Sequence, residues 1–125
     1  MKKALPTAAV ILALFAGFLI GHSQTNPAQT LRVPQFDNEE VKVWKTTVMP
    51  SAPLQMHRHE HPRAIIPLVG GTMKIVEQGG KSETHNWEQG HAYWLSTNPP
   101  NTMHADVNAG DKPIVVMVVE LEKVR

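Results

Sequence analysis

The run His57-Arg58-His59-Glu60-His61 sorts its side chains by chemistry if the chain there is extended. Successive residues of a strand point to opposite faces, so His57, His59 and His61 share one face while Arg58 and Glu60 share the other. Neutral imidazole is the commonest protein ligand for transition metals, and neighbouring ligands on one strand plus one from a remote strand make an open metal site. The later stretch His104-Ala105-Asp106-Val107-Asn108 offers that remote ligand in His104. The pattern predicts a metal held inside a β-barrel by histidines of this run.

The segments around these motifs are short and favour strand. Residues 41–48, 64–69, 73–77, 82–87, 92–95 and 114–121 are rich in β-branched and aromatic residues, and clusters of Gly, Pro and Asn separate them. None keeps a helical period. Gly79-Gly80 between two of the runs predicts a hairpin turn with positive φ at both central residues. Several strands within about a hundred residues imply an all-β sandwich or barrel with one core.

The amino terminus carries a different signal. Lys2 and Lys3 precede an apolar run from Ala4 to Ile20, and small or polar residues follow. This is the pattern of a secretory signal over residues 1–23, cut before Gln24, or of an uncleaved membrane anchor, since no Ala-x-Ala site is present. Either reading places the remainder outside the cytoplasm, in a bacterial periplasm. Residues 24–36 read as a polar tether and residues 37–125 as the folded domain. The chain has 12 basic and 11 acidic residues, and removing 1–23 takes two lysines, leaving 10 against 11. Such a balance provides no basic stripe for phosphates, which argues against a nucleic-acid partner. The absence of cysteine is compatible with an oxidising compartment without requiring one.

His57-x-His59, Arg63 and Gly70, followed by Pro99-x-Asn101-x-x-His104-x-x-x-Asn108, resemble the two signature motifs of the cupin superfamily. The resemblance covers roughly residues 40 to 121 and implies a small double-stranded β-helix, or jelly roll, with a divalent metal inside; iron or zinc is the expectation. In that family the first motif supplies two histidines and a glutamate, the second supplies a histidine, and a hairpin joins them. Pairing of two copies through their sheets, as a homodimer, is also implied.

Three departures stand out. Arg63 replaces the usual ligand glutamate, Asn101 replaces a usual glycine, and the interval from Gly90 to His104 is longer than the common pattern. Asn tolerates the left-handed conformation that glycine would supply, so the second departure changes only a loop. The first changes the chemistry. An inward guanidinium at ~5 Å from a divalent ion, with an effective dielectric near 20, is repelled by about 6 kcal/mol, so an anion must intervene or the side chain must swing away.

Three functions remain open on these residues. In one, the metal keeps positions free for substrate and Arg63 grips the carboxylate or phosphate of a small anionic organic ligand, with His61 and Glu60 assisting and Asn108 supporting. This is similar to the three-histidine thiol dioxygenases among the cupins, which implies oxygen-dependent oxidation of a small acid. In the second, the cavity binds a metal or anion without turnover. In the third, Arg63 pairs with Glu60 or Asp106 and the barrel is structural. His61 precedes Pro62, which bends the strand and puts it at the cavity mouth or in solvent. Glu60 is out of phase with the ligands. His85 and His91 read as surface or turn residues, Tyr93-Trp94-Leu95 as part core, and Met56, Met73, Met103 and Met117 as core or cavity lining rather than a copper site.

Overall fold

The computed structural model describes residues 29–123. The expected signal or anchor over 1–23 lies outside the described residues. Nine strands follow one another without a helix among those residues: β1 Leu31–Asp37, β2 Val41–Val48, β3 Leu54–His57, β4 Arg63–Val69, β5 Gly71–Glu77, β6 Ser82–Trp87, β7 Tyr93–Leu95, β8 His104–Asn108 and β9 Ile114–Leu121. They form two antiparallel sheets, a five-stranded one in the order β1-β2-β9-β4-β7 and a four-stranded one in the order β3-β8-β5-β6. Sequence neighbours are often not sheet neighbours, as a jelly roll requires.

Period-two alternation fills the space between the sheets. Ile114, Val116 and Val118 of β9 point inward, as do Ile65 of β4, Trp44 and Val48 of β2, Met73 and Ile75 of β5, and Trp87 of β6. Each such aliphatic side chain contributes about 1.5–3 kcal/mol by leaving water. The same alternation carries polar groups inward at one end. Arg63 is in phase with Ile65 on β4 and is 5% exposed. Glu120 is in phase with Val118 on β9, and Asp106 is in phase with His104 on β8.

Several turns have identifiable causes. Gly70 closes the link from β4 to β5, where a Cβ would sit 2.4 Å from the Trp87 carbonyl oxygen, so only glycine fits. Asn101 has φ 59°, the left-handed conformation expected of it. The β5–β6 hairpin differs from expectation, since only Gly80 has positive φ (87°). Gly80 N–H donates to Glu77 O and Glu77 N–H donates to Lys81 O, both at 2.8 Å. That is a three-residue loop in which one left-handed residue follows a type I turn, so Gly79 is free of the requirement.

Two expectations are corrected. Residues 31–36 of the expected tether belong to a strand: β1 pairs with β2 from Leu31↔Thr47 to Asp37↔Lys42, with a bulge between Pro34 and Phe36. Every residue of β1 is exposed, which is why composition resembled a linker. The extended histidine run is also shorter than expected. β3 ends at His57, and Glu60 and His61 lie in a bend before Pro62.

Candidate metal centre

The bend after β3 and the start of β8 bring His57, His59 and His104 together, with one ligand nitrogen from each within 4.8 Å of the others. His57 pairs with His104 across the β3–β8 ladder, which fixes their rings at 4.5 Å between centroids. His59 has left the strand and is held otherwise. Its backbone N–H donates to Asn98 Oδ1 at 2.6 Å, and its Nδ1 lies 3.0 Å from Glu120 Oε2. His59 and His104 are 6% and 2% exposed.

Hydrogen-bond partners define what each imidazole presents. His57 Nδ1 is 2.7 Å from Gln55 O, a group that can only accept, so that nitrogen carries the hydrogen. His59 Nδ1 faces a carboxylate and carries its hydrogen for the same reason. Both Nε2 atoms are then lone-pair acceptors, and they face one another at 3.1 Å. His104 differs. Asn98 must turn its oxygen to the His59 N–H, which leaves its Nδ2 to donate to His104 Nδ1 at 2.9 Å. His104 Nε2, buried and without a hydrogen-bond partner, points toward Asp106 Oδ1 at 3.6 Å.

The cluster resists protonation. Burial, then Arg63 and the neighbouring imidazoles, push His59 down to about 2. His57 and His104 are lowered by burial as well, with Asp106 opposing in both cases. Arg63 is itself lowered to about 10 by burial, and Asp106 and Glu120 work against that shift. Burial raises Glu120 above its ordinary range, partly countered by His61 and Arg63.

The other expected residues separate into those near the cluster and those away from it. Arg63 projects into the barrel and donates from Nη1 to Ser96 O at 3.1 Å. Among the described residues it has no ion pair, neither with Glu60 nor with Asp106. Glu60 is a correction: its side chain is 71% exposed and faces Arg58 Nε at 3.6 Å, outside the cavity. His61 is half-buried at the bend and does not join the three imidazoles, so the shared face expected of His57, His59 and His61 holds for two of them. Asn108 supports the fold rather than the centre. Its Nδ2 donates to Val48 O and Lys112 O, and its Oδ1 accepts from Gly110 N–H. His85 is half-buried beside Glu83, and His91 is exposed beside Glu88. Met73 is core, whereas Met56 and Trp94 are exposed.

Three neighbours escaped the sequence reading, Arg32, Asn98 and Glu120, and Asp106 was expected only as an ion-pair partner of Arg63. Arg32 reaches in from β1, its Cζ 5.4 Å from the centre of the Trp44 ring, and it lines an inner cavity of about 30 Å³ with His59, Arg63 and Asp106. A second cavity of about 350 Å³ adjoins it, lined by Arg32, Phe36, Trp44, Arg58, His59 and Glu120. The inner cavity has room for a water or a small ion, and the outer one for an organic molecule.

Solved structures resemble this arrangement of strands. A cupin domain from Bordetella pertussis is 24% identical, with 76% of this chain and 95% of that chain covered and a TM-score of 0.67. An RmlC-like cupin protein from Desulfovibrio desulfuricans is 16% identical over 90% of this chain and 100% of that one, with a TM-score of 0.57. A polyketide cyclase from Streptomyces resistomycificus is 20% identical over 75% and 66%, with a TM-score of 0.55. No protein-family model matches the sequence, and no curated protein is significantly similar to it. Topology and likeness together define an all-β double-stranded β-helix. The described residues form a small domain of the cupin fold, and its three clustered histidines are compatible with a metal ion.

Proposed function

We propose that this domain binds one divalent metal ion at the cluster of His57, His59 and His104, and beside it a small anionic organic ligand held by Arg63 and Arg32. The observation that carries the reading is the pair of Nε2 atoms at 3.1 Å. Two lone pairs at that distance repel unless a cation lies between them. A proton is a poor candidate because the imidazoles are held neutral by burial and by Arg63. A metal ion fits, since two imidazole nitrogens in one coordination sphere at ~2.1 Å bonds stand about 3.0–3.4 Å apart.

The chain's own groups then have distinct tasks. Glu120 keeps the His59 hydrogen on Nδ1 and so keeps Nε2 available. Arg63 and Arg32 bring two cations to the inner cavity, where a carboxylate or phosphate offsets their repulsion of the metal. Phe36 and Trp44 give the outer cavity an apolar wall for the body of the ligand. Iron would supply oxygen-dependent oxidation of the bound acid, and zinc would supply Lewis-acid polarisation. Read as an export signal or anchor, the apolar run from Ala4 to Ile20 supports an activity outside the cytoplasm.

Calorimetric titration with Zn(II) and Fe(II) tests the reading. One ion per chain is expected, with His57→Ala weakening binding by at least about 100-fold and His85→Ala leaving it unchanged. Equal affinity in both variants would defeat the assignment. Oxygen uptake by the iron-loaded protein with small thiols and organic acids then separates an oxidase from a binding module. Uptake with iron and none with zinc is the oxidase result, and tight ligand binding without uptake is the module result.

A further inference from the structure

Of the three clustered rings, only His104 is backed by a group that can both donate and accept. His57 Nδ1 meets Gln55 O and His59 Nδ1 meets the Glu120 carboxylate, so both rings keep their hydrogen on Nδ1 and a lone pair on Nε2. His104 Nδ1 meets the Asn98 side-chain amide at 2.9 Å. Asn98 turns its oxygen to the His59 backbone N–H at 2.6 Å, so its Nδ2–H is what faces His104. The Nδ1 lone pair of His104 is thereby used, and the hydrogen of the neutral ring sits on Nε2. In this arrangement neither nitrogen of His104 has a lone pair to give to a metal.

We infer that the Asn98 side-chain amide is a latch on the metal centre: as oriented it holds His104 in the tautomer that cannot ligate, and its reversal is a step of metal binding. The inference rests on the metal-binding reading above and names the residue that regulates it. With the amide reversed, Asn98 Oδ1 accepts from His104 Nδ1–H, and Nε2 is free to ligate. His104 gives up a proton at Nε2 and takes one at Nδ1 by exchange with water, so the ring stays neutral. The surroundings keep the two orientations close in energy. As oriented, the buried Nε2 of His104 has no hydrogen-bond partner for its hydrogen. Reversed, the backbone N–H of buried His59 loses its acceptor. Each orientation thus leaves one buried donor unmet, and an unmet buried donor is the largest cost in either. The loop need not move as the amide turns, because Asn98 N–H donates separately to His59 O at 2.9 Å. Asn98 is therefore a positioning residue, acting on the metal through His104.

Nitrogen-15 NMR of the histidine side chains of the full-length chain, before and after Zn(II) is added, tests the latch. The expected result is a hydrogen on His104 Nε2 before zinc and on His104 Nδ1 after it, with a zinc-induced shift of the His59 backbone amide. Asn98→Asp provides the second arm. A carboxylate accepts from His59 N–H with one oxygen and from His104 Nδ1–H with the other, so no reversal is needed. In that variant His104 should carry its hydrogen on Nδ1 before zinc is added, and Zn(II) affinity should rise by about 10- to 100-fold. A hydrogen already on Nδ1 in the zinc-free parent, or one retained on Nε2 when zinc shifts His57 and His59, would overturn the inference. So would a higher affinity in Asn98→Asp with His104 still protonated on Nε2 before zinc, since the added charge alone would then explain it. No zinc-induced shift at any of the three imidazoles would remove the metal reading itself, and the latch with it.

Discussion

Glu120 Oε2 lies 3.0 Å from Nδ1 of His59, a contact between the end of β9 and the bend that follows β3. A carboxylate behind an imidazole fixes its tautomer and raises its basicity toward a metal on the far side. Glu120→Gln keeps a hydrogen-bond acceptor but removes the charge. Zn(II) affinity is expected to fall by about 10- to 100-fold with the fold intact, measured by competition with a chelator. Unchanged affinity would show that the contact only fills space.

The metal-free protein should lose stability on mild acidification. His59 titrates near 2 in the folded chain, below its ordinary value of 6.5, chiefly because it is buried. Between those values the unfolded chain binds a proton that the native chain refuses, so stability rises with pH across the window and is progressively lost as pH falls below about 6.5. His57 and His104 are shifted in the same direction. Urea midpoints measured from pH 7 to pH 5 should therefore fall, and His59→Asn should flatten the slope. An equally steep slope in the variant would assign the acid sensitivity elsewhere.

Arg63 is the residue at which the cupin-like motif departs most in charge. Arg63→Ala is expected to weaken binding of small carboxylic acids by about 1.5–3 kcal/mol, the range for a hydrogen bond to a charged group. Metal affinity should stay equal or improve, since a nearby cation has gone. A variant that binds metal less well would make Arg63 part of the scaffold through its bond to Ser96 O.

Gly70 tests the packing of the link between sheets. A Cβ there would meet Trp87 O at 2.4 Å and Gln89 N at 3.0 Å, both backbone atoms that cannot move alone. Gly70→Ala should destabilise the domain by about 1–3 kcal/mol, read from chemical denaturation. The folded variant should bind Zn(II) as the parent does, because the clash lies away from the histidines.

Strand content was legible where burial wrote a pattern. β2 and β9 occupy the segments expected of them, because β-branched and aromatic residues cluster there between turn residues. β1 was not, since all its residues are exposed and Pro34 and Gln35 give it the composition of a linker; with it went Arg32. The paired histidines and His104 were readable from spacing, and Asn101 from the one backbone conformation it shares with glycine. Glu120 and Asp106 carried a usable signal, a polar side chain in phase with inward neighbours on the same strand, though nothing local says which polar residue of an amphipathic strand turns inward. Asn98 carried none: it sits in a loop, and its role depends on meeting residues from two other elements.

Asn108 holds Val48 O and Lys112 O with one amide at the end of β8 opposite His104. With those carbonyls occupied and Ile114, Val48 and Met73 buried beside them, that end of the barrel is a plug. Two cavities adjoin the inner one at the other end: the one where Phe36, Arg58 and Glu120 stand, and one of about 210 Å³ lined by Arg63, Ser96, Asn98 and His104. Each of the two carries a guanidinium beside an imidazole, Arg32 and Arg58 with His59 in one and Arg63 with His104 in the other, so whichever way a visitor enters, its charge is weighed at the same threshold as its power to ligate.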